Sequence, residues 1–122
     1  MNLSEITKTL VSEIKLTENQ AKIFLHIVIH GRMNTTQISN DLHISLDDVT
    51  QNSKKLVELG GFIDMPNDEF EAMHPRFTAV NMYRKMCERE QKEFKKNLDI
   101  DNIGVALEVS YDDARTKYNK KK

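Results

Sequence analysis

Between residues 47 and 54 the chain carries polar side chains with the chemistry to read a base edge. Asp47 could accept from cytosine N4, Gln51 could pair with adenine, and Lys54 could donate to guanine or to a phosphate, with Thr50 between them. At 100° per residue Val49, Ser53 and Leu56 share one helical face. Asp47, Thr50, Gln51, Lys54 and Glu58 then point outward, with Asp48 and Lys55 on the flanks. Asp48 stands three residues after Ser45, where an acid suits both a capping box and the positive end of the helix dipole, so it needs no ligand. For Asp47 a base contact and a plain solvated helix face are equally open.

Other reactive side chains are weaker candidates. His26 and His30, four apart, could chelate a metal from one helical face, but no third ligand lies nearby and Lys22 shares that face. A solvated polar stripe is the preferred reading, and no metal is expected. His43 and His74 sit at element junctions, where turn and capping roles are the default. Cys87 is the single cysteine, which excludes an intramolecular disulfide and a CxxC motif; a small packed hydrophobe is preferred to a redox switch. There is no glycine-rich phosphate loop, nucleophile elbow, HExxH or locally assembled Ser, His and Asp set. No catalytic residue and no cofactor are expected, and an enzyme is not.

The elements that must position residues 47 to 54 follow from apolar spacing and caps. Leu3, Ile6, Leu10 and Ile14 make a first amphipathic helix ending near Lys15. Thr17 to Gln20 has the form of a capping box, and a second helix runs from Glu18 through AKIFLHIVIH to Gly31, a residue suited to closing it. Asn34-Thr-Thr-Gln37 caps a third helix of about two turns on Ile38 and Leu42. His43-Ile44 breaks the pattern, Ser45 caps a fourth helix starting at Leu46, and Gly60-Gly61 stops it. Phe62, Ile63 and Met65, then Phe70, Ala72 and Met73, flank Pro66-Asn67-Asp68 and predict a hairpin. His74-Pro75 opens a helix predicted to continue to about Asn97, roughly 34 Å at 1.5 Å per residue. Beyond it Ile103, Leu107, Tyr111, Ala114 and Tyr118 fit a helix face, while Val105, Leu107, Val109 and Tyr111 fit a strand. Gly104 weighs against helix; helix is preferred and strand stays open. Lys120-Lys121-Lys122 is expected to fray.

With 122 residues, 18 Lys or Arg against 19 Asp or Glu, and no apolar run near the roughly 20 residues of a membrane span, the expectation is one folded unit in the cytoplasm. The N-terminus also lacks the basic-then-apolar order of a signal peptide. A net charge of −1 gives no global attraction to nucleic acid. Charge is local instead: Asp64, Asp68, Glu69 and Glu71 make the hairpin acidic, and residues 76 to 97 hold seven Lys or Arg against three Glu.

Helix, helix, short helix, turn, helix, hairpin is the order of a winged helix-turn-helix. The predicted fold is therefore mainly α, with a two-stranded wing, an N-terminal helix and long C-terminal helices. From Leu16 to about Val80 the chain, beginning "LTENQAKIFLHIVIHGRMNTTQISNDLHISLDDVTQNSKKLVELGGFI", resembles the DNA-binding domain of the TrmB-like archaeal transcriptional regulators. The shared features are a Leu-Thr-Glu start, a glycine after the second helix, a capped short helix, and a fourth helix ending in leucine and glycine. The resemblance implies binding to double-stranded DNA as a dimer, with Thr35 and Thr36 near the backbone and the fourth helix in the major groove. Ser45, Leu46, Asp47 and Asp48 depart from the proline, arginine or serine, and lysine common just after the turn in that family, and the wing is acidic. The large sugar-binding region of longer members has no counterpart, so sugar sensing is not expected.

Residues 1–15 are thus expected to form an N-terminal helix, 16–75 the winged domain, and 76–122 a helical dimerisation region. The expected DNA contacts are Arg32, Thr35, Thr36, Ser45, Asp47, Thr50, Gln51, Lys54 and Lys55. The expected dimer edges are Leu3, Leu10 and Ile14 on the first helix and Phe77, Val80, Cys87 and Phe94 on the long one, because a small winged core cannot cover so long a helix. The competing reading is a winged module that binds other transcription proteins without reading DNA, which the acidic wing favours.

Overall fold

The computed structural model describes the backbone of residues 1–120 and the side chains of residues 1–117; the expectations for the Tyr118 side chain and for the lysine tail at 121–122 lie outside these. The elements are α1 (Leu3–Glu13), α2 (Glu18–His30), β1 (Met33–Asn34), α3 (Thr35–Leu42), α4 (Leu46–Leu59), β2 (Ile63–Met65), β3 (Glu69–Glu71), α5 (Pro75–Arg89) and α6 (Leu98–Lys120). The chain is mainly helical around a small antiparallel sheet of order β1-β3-β2. No helix among the described residues is long and apolar enough to cross a membrane.

The helix starts follow from caps. Thr17 Oγ1 accepts from the Gln20 N–H at 3.1 Å while Gln20 Oε1 accepts from the Thr17 N–H at 3.0 Å, the reciprocal pair of a capping box. Asn34 and Ser45 each accept the third backbone N–H of the helix they open, at 2.8 Å and 3.2 Å. α2 runs through the centre of the molecule, burying Ala21, Ile23, Phe24, Leu25, Ile27 and Val28.

A hairpin forms about the predicted turn, with Ile63 facing Glu71 and Met65 facing Glu69, but its second strand is Glu69–Glu71 and Ala72 and Met73 lie beyond it. Asn67 and Asp68 turn it at φ 65° and 58°, a left-handed pair that Asn and Asp tolerate better than other side chains. A third strand was not anticipated: Met33 pairs with Phe70 and Asn34 with Glu69. It places the α3 cap directly against the hairpin.

Beyond Arg89 the structure departs from the sequence reading. α5 ends there instead of running to Asn97, and the chain reverses. The Lys92 N–H donates to the Cys87 carbonyl at 2.8 Å and the Gln91 N–H to Glu88 at 3.3 Å, with Gln91 at φ 54°. That is a Schellman closure built on glutamine, where glycine is the usual residue. Asn97 then caps a new helix by accepting from the Asp99 and Ile100 N–H groups at 3.0 and 3.4 Å. α6 is helix throughout its described length, and Ile100, Ile103, Leu107, Tyr111 and Ala114 are buried. It packs against α5, α2 and α1.

This reversal removes part of the expected dimer edge. Leu10, Ile14 and Cys87 are buried inside the single chain, at 0, 1 and 1 % exposure, and are not available to a partner. The buried stripe of α5 is Pro75, Thr78, Ala79, Met82, Met86 and Cys87. Val80 is only half-buried, whereas Leu3, Phe77 and Phe94 are exposed. Within the described residues, α5 and α6 therefore share one core with residues 16–75.

One core position is polar without compensation. Ser53 is fully buried on α4, and its Oγ has no hydrogen-bond partner among the described residues. An unsatisfied buried hydroxyl costs about 1–3 kcal/mol, and alanine is also the better helix former. Ser53→Ala is therefore expected to raise the urea midpoint with an unchanged slope. A lowered midpoint would show that the hydroxyl finds a partner in solution.

Candidate nucleic-acid interface

The segment that presents residues 47 to 54 is held from three sides. Ile38 anchors α3 in the core, and α3 ends at His43 in the left-handed region, φ 56° and ψ 39°. Ser39 Oγ donates to the Ile44 carbonyl at 2.6 Å, fastening the three-residue turn back onto α3. Val49, Ser53 and Leu56 seat α4 with no exposed surface. The amide of Gln20, itself mostly buried, donates to Asn52 Oδ1 at 3.3 Å, so the α2 cap also fixes the roll of α4.

The outward face is the one the spacing predicts. Asp47, Asp48, Gln51, Lys54, Lys55 and Glu58 are exposed, and Thr50 is half-buried with its hydroxyl donating to the Leu46 carbonyl at 2.8 Å. Gln51 Nε2 donates to Asp47 Oδ2 at 3.3 Å, one turn back. Asp47 thus aims the Gln51 amide, a role that spacing alone did not suggest. Lys55 pairs with Glu58 at 3.2 Å, while Lys54 has no ion-pair partner among the described residues. Leu46, 49 % exposed at the start of α4, was not among the expected contacts. An apolar side chain there could meet a thymine methyl.

The remaining expected contacts divide. Ser45 and Thr36 are exposed at the two helix starts. Thr35 is largely buried, and its N–H donates to the Asp68 carbonyl at 3.2 Å, so that N–H is not open to a phosphate. Arg32 is ion-paired with Glu69 across the β1–β3 ladder, its side chain 21 % exposed. Both residues brace the hairpin against α3. The four acids of the hairpin are correspondingly unequal: Glu69 is committed to Arg32, Asp64 and Asp68 are exposed, and Glu71 is half-buried.

His26 and His30 do come together, with ring centroids 4.6 Å apart, and His26 Nε2 lies 2.8 Å from Asp41 Oδ2. No group of three metal-ligating side chains forms among the described residues. Desolvation, then the neighbouring His26, hold His30 below the ordinary imidazole range. The His26–Asp41 contact fastens α2 to the end of α3 and so supports the turn. No family model matches the chain, and no curated protein and no solved structure matches it.

Proposed function

We propose that this chain is a DNA-binding transcriptional regulator of the winged helix-turn-helix type, acting as a homodimer. The observation that carries the reading is the pair of capped helices α3 and α4 across a fastened three-residue turn, with Asp47, Gln51 and Lys54 on the solvent face of α4. A rigid helix presented in this way is the element that docks in a major groove. In this reading the hairpin β2–β3 that follows α4 is the wing, and the TrmB-like resemblance from Leu16 to about Val80 points the same way. No catalysis is part of the proposal.

In this reading Gln51 and Lys54 meet base edges, Lys55 and the Thr36 end of α3 meet phosphates, and Asp47 orients Gln51. The outward face of α4 holds Lys54 and Lys55 against Asp47, Asp48 and Glu58, so Coulomb attraction contributes little. The salt dependence should be shallow, since each phosphate neutralised adds only about 0.9 to the slope. Specificity then depends on a dimer reading two half-sites about one helical turn apart.

The test begins with filter binding to random duplex at two salt concentrations, followed by titration of Lys54→Ala and Gln51→Ala against a selected site and a scrambled one. A loss of about 1–3 kcal/mol on the selected site alone is the expected result. A uniform loss on both would reassign the residue to phosphate contact. No binding by the unaltered chain would favour the module that binds protein, a reading supported by the slight excess of acids on the α4 face.

A further inference from the structure

Two oppositely charged surfaces lie outside the outward faces of α3 and α4. The first is the hairpin. β2 is an edge of the sheet, Asp64 on it and Asp68 at the turn are exposed, and neither has an ion-pair partner among the described residues. The second is the end of α5 and the reversal after it. Arg84 and Arg89 are exposed without an ion pair among the described residues, and Lys85 is half-buried beside Gly60. Lys92, Lys95 and Lys96 continue the surface, paired with Glu90, Glu93 and Asp101 at 3.1, 3.5 and 3.9 Å. Phe94 is 48 % exposed there, its ring 6.0 Å from Tyr83.

A helix dipole favours a cation in the last turn and so accounts for Arg89. It does not account for Arg84, which precedes that turn, or for the lysines beyond the helix. The acids of the hairpin are likewise misplaced for a wing, since they would repel phosphates.

We propose that these two surfaces bind each other between two copies of the chain, the acidic hairpin of one seated on the basic end of α5 of the other. Charge complementarity selects a second copy as the occupant, and Phe94, exposed among the basic residues, adds an apolar contact on that side. In a two-fold pair each chain offers both surfaces, so the contact forms twice and the assembly closes. The proposal rests on the self-association in the function above, but not on DNA binding. It gives the acidic hairpin a protein partner.

Analytical ultracentrifugation without DNA tests it, on the unaltered chain and on two variants. One variant carries Asp64→Lys with Asp68→Asn, because asparagine tolerates the left-handed turn position that lysine would strain. The other carries Arg84→Glu with Arg89→Glu. Circular dichroism checks that each is folded. Raising salt from about 50 mM to about 500 mM should weaken the dimer by about tenfold, because exposed charge pairs are screened. Each variant alone should be weakened by about as much. An equimolar mixture of the two should restore association, because the altered hairpin then meets the altered helix and the original pair also survives. A dimer indifferent to salt and to both variants would overturn this surface while leaving self-association intact. A mixture no tighter than its components would also overturn it, and a monomer at every salt would remove the homodimer as well.

Discussion

A chain ended at Asn97 is expected to lose its cooperative fold. α6 supplies Ile100, Ile103, Leu107 and Tyr111, none more than 8 % exposed, to the same core that holds Phe24 and Leu10. Burying a large apolar side chain contributes about 1.5–3 kcal/mol, and four together approach the roughly 5–15 kcal/mol that stabilises a whole domain. Removal would also uncover the apolar faces of α2 and α5, so the shortened chain should aggregate or bind a hydrophobic dye. Leu107→Ala is the milder version and should cost about 2–5 kcal/mol in a urea titration. A shortened chain that melts cooperatively and shows dispersed amide resonances would mean that residues 1–97 fold without α6.

Legibility in the sequence followed the range of the interaction. Thr17 with Gln20, Asn34 and Ser45 each act within three residues, and each announced a helix start that the structure contains. The inward face of α4 was legible for the same reason, since Val49, Ser53 and Leu56 share a side of any helix. The end of α5 was not legible, because its left-handed residue is Gln91 and no glycine marks it. Residues 90 to 97 consist mostly of good helix formers, and the reversal is favoured by what it lets α6 cover. A usable signal was present in Asn97 followed by Asp99 and Asp101, a cap with acids in the first turn, once the assumption of one unbroken helix is dropped.

The candidate interface shows the same division. Outward placement of Asp47, Gln51 and Lys54 followed from period alone. Arg32 and Thr35 are expected DNA contacts in the sequence, Thr35 through the family resemblance, yet their partners, Glu69 and Asp68, lie over thirty residues away in the hairpin. β1, two residues long, has no pattern of its own; it exists because Met33 and Asn34 find Phe70 and Glu69 already in a strand. Such pairings depend on the assembled fold, and spacing does not report them.

Gly104→Ala should destabilise the protein, the reverse of what helix propensity alone requires. In an exposed helix interior, replacing glycine by alanine gains about 1 kcal/mol. Here a Cβ on Gly104 would stand 2.7 Å from Arg76 Cα and 3.2 Å from its backbone nitrogen, and main chain at the start of α5 cannot turn aside as a side chain would. The two helices would have to separate. Separation would strain the contacts that cross the same junction, Arg76 to Glu108 at 2.9 Å, His74 to Glu108 at 3.5 Å and the His74 ring against Tyr111 at 5.3 Å. Overpacking of this kind costs roughly 1–3 kcal/mol, enough to outweigh the propensity gain. The residue that weighed against helix in the sequence is therefore the one that lets the helix lie down on its neighbour. Gly104→Val, larger and β-branched, should lower the midpoint further and bring the chain toward the behaviour of the one ended at Asn97. Thermal melts of both variants decide the matter: a melting temperature raised by Gly104→Ala would mean that α6 does not approach Arg76 this closely in solution.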